Sequence, residues 1–106
     1  MSVYQTYDKT SIDEGIKTFR KNANAVLLDV RTESEFASGY ISGAINIPLQ
    51  TIEDAAEVVF GKNTPLYVYC RSGVRSSQAV AALRQMGYEN VTDIGGIMYY
   101  SGEIVR

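Results

Sequence analysis

Histidine is absent from this sequence, cysteine occurs once, and no apolar run is long. Without histidine, neither a Cys/His zinc site nor a Cys–His nucleophile pair can be assembled, and a lone cysteine forbids an internal disulfide. If Cys70 is reactive, its activation has to come from backbone dipoles and arginines. The longest apolar stretches, 25–28 and 66–70, fall far short of the roughly 20 residues that span a bilayer. No basic region followed by an apolar stretch opens the chain, so neither a membrane nor the secretory route is expected. Excess charge is also lacking: a net charge of −2 and a pI near 5.0 argue against non-specific nucleic-acid binding, so any anion site must be local. One unpaired cysteine fits a reducing, cytoplasmic setting. The sequence implies no metal and no other cofactor.

What is present is ordinary for a globular protein: 45% apolar and 21% charged residues over 106 positions. That length suits one domain, 1–106, which would bury roughly 65% of its unfolded surface. Ser11 and Glu14 have capping-box spacing, and Ile12, Ile16 and Phe19 continue at helical spacing, predicting a first helix to about Lys21. The run 25–30 reads as a strand buried on both faces. Thr32 and Glu35 repeat the capping-box pattern for a short helix ending before Gly39, and 44–47 reads as a strand closed by Pro48. Thr51 is placed to cap another helix with Ile52, Ala55, Ala56 and Val59 on one face, stopped at Gly61. Residues 66–69 form a strand ending on Cys70; after a turn, an Ala-rich helix runs to Gly87, and a last strand, 90–94, meets Gly95-Gly96, read as a turn. Tyr67, Tyr69 and Tyr88 are expected in packing rather than on a binding surface. This alternation specifies an α/β domain with a mostly parallel central sheet flanked by helices on both faces.

The stretch Cys70-Arg71-Ser72-Gly73-Val74-Arg75-Ser76 joins a buried strand to a helix, at the strand end where open α/β folds bind ligands. A tight loop entering a helix turns successive N–H groups toward one point, to which the helix dipole adds partial positive charge. That point suits the thiolate of Cys70 or the anionic end of whatever becomes attached to it. Arg71 and Arg75 add charge that favours the thiolate and attracts anions; cations at a helix start run against the dipole, so both read as ligand-binding. Ser72 and Ser76 can supply hydroxyl donors, and Gly73 permits the turn. Asp29 and Arg31, at the end of a core strand, need partners there and read as structural: Arg31 is expected to pair with Glu35, and Asp29 to hold nearby loop backbone.

Three stretches together carry a resemblance. Leu28-Asp29-Val30-Arg31 with Glu35-Phe36 and Gly39 to Pro48, then CRSGVRS at 70–76, then Ile94-Gly95-Gly96-Ile97, resemble the signatures of the rhodanese, or sulfurtransferase, family over most of residues 25–102. The resemblance implies a single rhodanese-like domain with Cys70 as the sulfur-carrying residue and residues 71–75 as the backbone cradling a persulfide. Tyr40 stands where the family usually has His, and Tyr100 where an aromatic, often Trp, follows the Gly-Gly pair, which predicts altered packing or a changed substrate edge. The activity implied is a double displacement, from thiosulfate or a similar small anionic donor to a thiol, cyanide or protein acceptor. A preformed thiolate needs no general base for this, so the missing histidine is no obstacle.

Two other readings compete. Cysteine-dependent phosphatases and arsenate reductases also place a Cys…Arg loop after a strand, but their loop has one residue more than the four between Cys70 and Arg75. Rhodanese-like domains also occur as non-catalytic partner-binding modules that have lost the cysteine, or as sulfur relays; Cys70 is present here.

Overall fold

The computed structural model describes residues 10–106. Ser11, in extended conformation, caps α1 (Ile12–Arg20) by accepting from Glu14 N at 3.3 Å. The reciprocal half of a capping box is replaced by an ion pair, Glu14 to Lys17 at 3.7 Å. β1 (Val26–Asp29) follows, then α2 (Glu33–Ser38), where the box is complete: Thr32 Oγ1 accepts from Glu35 N, and Glu35 accepts from Thr32 N. After β2 (Ala44–Asn46), the expected Thr51-capped α-helix is instead a 3-10 segment, Leu49–Glu57. Thr51 caps nothing; it sits at a kink (φ −124°, ψ 36°) with its hydroxyl turned back on the Pro48 carbonyl. The tighter winding buries Ile52 and Ala55 but leaves Ala56 exposed.

β3 (Leu66–Cys70), α3 (Val74–Gln85), β4 (Val91–Gly96) and a 3-10 turn at Ile97–Tyr99 complete the chain order. The four strands are all parallel, in the order β2-β1-β3-β4. Alternation along β3 divides the core in two: Leu66, Val68 and Cys70 face α3 and the 3-10 segment, while Tyr67 and Tyr69 face Ile12 and Ile16 of α1. Helical elements therefore cover both faces, and Tyr69 and Tyr88 are core residues, as expected.

The last strand departs from its sequence reading. Gly95-Gly96 is not a turn: β4 continues through both glycines, pairing Tyr69 with Gly95 and Cys70 with Gly96 after a register shift at Val68/Tyr69. Gly95 takes φ +88°, the conformation a glycine bulge needs, and a Cβ on Gly96 would collide with the Arg71 carbonyl and Ser72 Cα. The glycines let β4 run tight against the loop that follows Cys70.

Candidate active site

β3 delivers Cys70 to the carboxyl edge of the sheet, where its side chain is buried and Gly73 N donates to Sγ at 3.0 Å. Gly73 reaches this position in a left-handed conformation (φ 107°, ψ −10°) and is the N-cap of α3, yet no side chain caps that helix. The sulfur thus sits at an N-terminus whose N–H groups are not taken by a capping side chain. Two loop carbonyls are already bonded: Met98 N donates to Arg71 O (3.1 Å), and Ser76 Oγ and Ser77 N both donate to Gly73 O (3.1 and 3.4 Å).

The loop side chains divide by what already occupies them. Arg71, Ser72 and Val74 are exposed, and the Arg71 guanidinium makes no hydrogen bond or ion pair among the described residues. Arg75 is engaged, giving a two-pronged pair with Glu35 at 2.7 and 3.0 Å. Glu35 also accepts from Thr32 N (3.0 Å) and Thr32 Oγ1 (3.1 Å), so one carboxylate caps α2 and anchors the start of α3. The Arg75 contact, helped by Thr32, holds the Glu35 carboxyl down at about 2. Arg75 is raised in turn, through Glu35 first, with the charge of Cys70 adding to it.

Two sequence expectations are corrected. Glu35 does not pair with Arg31. Arg31 leaves β1 only two residues after Asp29, so both its N–H and its guanidinium fold onto that carboxylate, with Nη2 at 2.6 Å from Oδ2 and also donating to Gly39 O at 2.7 Å. Burial pulls the Arg31 guanidinium down, but the bonds and charge of Asp29 outweigh it and leave it raised. Nor does the Ser76 hydroxyl face the sulfur; it is buried and directed to Gly73 O and to Asp93 Oδ1 at 2.8 Å. Asp29 meets its expected use, since Oδ1 accepts from Arg31 N at 2.9 Å.

Three participants escaped the sequence reading. Asp93, buried in β4, binds Ser76 and Gly95 N (2.9 Å) and so ties the bulge to α3; its signal is a carboxylate inside a core strand. Asn46 donates to the carbonyls of Asp29 and Arg31 (2.9 and 3.0 Å), a role signalled by an amide in a short strand before proline. Tyr69 accepts from Ile41 N through its hydroxyl, and burial beside Asp29 pushes its phenol up. Of the two family departures, Tyr40 stacks on Phe36 with ring centroids 4.3 Å apart, and Tyr100 packs against the α1-side core. Among the described residues, no three His, Cys, Asp or Glu side chains gather as a metal would require.

Comparison with known proteins places this geometry. The family model for the rhodanese-like domain matches residues 12–103. The thiosulfate sulfurtransferase PspE of Escherichia coli is 39% identical over 71 residues, covering 66% of this chain and 68% of that protein. A sulfurtransferase of Allochromatium vinosum is 38% identical over 79 residues, covering 74% and 73%. The crystal structure of a rhodanese-like domain protein from Staphylococcus aureus superposes with a TM-score of 0.78 at 34% identity, over 91% of this chain and 93% of that one. Other curated relatives are longer, and the chain spans only 22–31% of their length. With its parallel sheet, its Cys70 loop and a match over nearly all described residues, the chain belongs to the rhodanese-like domain family.

Proposed function

We propose that this protein is a sulfurtransferase that takes sulfane sulfur from thiosulfate or a similar anionic donor and carries it as a persulfide on Cys70. The observation that carries the reading is Sγ held at 3.0 Å from Gly73 N, at the start of a helix with no side-chain cap. Those donors suit a thiolate, and they suit equally the terminal sulfur of a persulfide extended toward the same turn. The Cys70 thiolate attacks the outer sulfur of thiosulfate; the S–S bond breaks, and its electron pair leaves with sulfite. A thiolate or cyanide then attacks the outer sulfur, and the electron pair of the Cys70 S–S bond returns to Sγ.

Arg71 is the cation left to meet the donor, being exposed and without a partner among the described residues. Arg75 acts through the loop: with both terminal nitrogens on Glu35, it holds the first turn of α3 rather than an incoming oxyanion. This also weakens the phosphatase alternative, which needs a guanidinium clasping phosphate. Turnover of thiosulfate with cyanide tests the reading. Arg71→Ala is expected to raise the thiosulfate KM about fivefold with kcat little changed, as an exposed charge worth about 1 kcal/mol would. Turnover of an aryl phosphate without any use of thiosulfate overturns it.

A further inference from the structure

We propose that the cleft beside the Cys70 loop, between α1, the first turn of α3 and the end of β4, docks the sulfur acceptor, a cysteine-containing peptide segment with a cation next to the cysteine. The proposal rests on sulfur transfer through Cys70 and adds the face and the class of the acceptor.

The cleft encloses about 720 Å³ and includes Asp13, Ser72, Gly73, Val74, Asp93 and Tyr99 in its lining. It shares Ser72 and Gly73 with the turn that holds Sγ, so an occupant rests against the reactive loop itself. Its volume lies in the range of about 300–1,000 Å³ typical of ligand sites and far exceeds what thiosulfate or cyanide would fill. A peptide segment is the matching size.

Charge sets the chemistry. Among the described residues, the charged side chains in the lining are two carboxylates, Asp13 and Asp93, and Arg71 is not one of the lining residues. Asp93 is 3% exposed; its Oδ1 takes both Ser76 Oγ and Gly95 N, while Oδ2 has no hydrogen bond among the described residues. A carboxylate oxygen left unpartnered at such burial is costly, and a donor on the occupant would satisfy it. Asp13 is held in its charged form by the Ser101 N–H and hydroxyl, which lower its carboxyl below the usual range. The remaining surface is apolar where it is most open: Val74 is 65% and Tyr99 66% exposed. Exposed apolar side chains beside two carboxylates complement an apolar segment carrying a cation. Donor and acceptor would then meet different surfaces, Arg71 for one and the cleft with its two carboxylates for the other. In the transfer, the acceptor thiolate attacks the outer sulfur of the Cys70 persulfide, a new S–S bond forms on the peptide, and Cys70 is regenerated as the thiolate.

Two measurements test this. First, Cys70 is loaded from thiosulfate, excess donor is removed, and sulfur uptake is timed with two peptides differing only in Lys or Glu beside a single cysteine, with rates expressed per thiolate. The Lys peptide is expected to accept about fivefold faster at low salt. Asp13→Asn should shrink that ratio toward one, Glu89→Gln at the opposite end of β4 should leave it, and Tyr99→Ala should slow both peptides together. Equal rates for the two peptides, or a ratio that Glu89→Gln shifts as much as Asp13→Asn, overturn the proposal. Second, the Lys peptide with serine in place of cysteine is titrated into unloaded protein by NMR, with shifts expected at residues 72–74 and 99 and no such shifts overturning it. This measurement needs no persulfide, so failure of Cys70 to load counts against the proposed function alone.

Discussion

At the end of β1 two charged side chains are buried against each other, whereas at the end of the neighbouring β3 a sulfur atom is held by a backbone N–H. Asp29 and Arg31 bind one another, Asn46 adds two bonds to their carbonyls, and Arg31 reaches on to Gly39, so the two charges there are taken up within the fold. At β3 the carbonyls of Arg71 and Gly73 are bonded within the fold, the helix start carries no side-chain cap, and Arg71 has no partner among the described residues. Side-chain charge makes a fixed support at one strand end; at the other, backbone dipoles are left available for an anion that arrives and departs. Damage at β1 should therefore appear as lost stability, and damage at β3 as lost activity.

The largest effect is expected at β1. Arg31→Ala leaves the Asp29 carboxylate buried and unpaired, which should cost about 3–5 kcal/mol, read as a lowered urea midpoint. Should that variant not fold, Asn46→Ala, which removes only two hydrogen bonds, is expected to cost about 1–3 kcal/mol and keeps the comparison open. A near-zero cost for both would break the distinction. At β3, Gly96→Ala forces a Cβ onto the Arg71 carbonyl and Ser72 Cα, so the loop backbone must shift. About 1–3 kcal/mol of overpacking is expected, together with a loss of sulfur loading greater than tenfold. Loading that falls only in proportion to the folded fraction would make the loop as much a structural element as the β1 end.

The smallest effect sharpens the link between the two ends. Glu35→Gln keeps one acceptor oxygen for Thr32, whose two contacts both use Oε1, but removes the charge that holds Arg75. Because the Glu35 carboxyl sits at about 2 in the fold, below its usual value of about 4.3, the ion pair contributes fully above the usual value. The contribution is lost as pH falls from about 4.3 toward 2. The difference in Tm between wild type and Glu35→Gln should be small at neutral pH, corresponding to less than about 1 kcal/mol for a partly exposed pair, and should vanish across that acid window. A difference that persists below pH 2 would place the role of Glu35 in its neutral contacts.

How far the sequence foretold these regions follows from the range of the forces involved. Short-range rules were legible: the Thr32–Glu35 box, the stop at Gly39, the alternation that puts Tyr67 and Tyr69 opposite Val68, and a strand–Cys–Gly–helix run that fixes the Cys70 loop. Partner choice was not. Arg31 had Asp29 and Glu35 within reach along the chain, and only the fold brings Arg75, forty residues from Glu35, close enough to take the second carboxylate. Gly95-Gly96 read as a turn because two glycines usually break a strand, but these two serve a bulge and a close backbone approach that exist only once β3 and β4 pair. Ser76 is the first buried position of α3, and a buried hydroxyl bonds the nearest acceptors, here Gly73 O and Asp93, rather than a visiting ligand.

The central claim is that Cys70 holds a transferable sulfur in this loop. Intact mass after incubation with excess thiosulfate and removal of the donor tests it most directly. A gain of one sulfur atom that cyanide removes, absent in Cys70→Ala, is the expected result; no gain, or the same gain in Cys70→Ala, would contradict it.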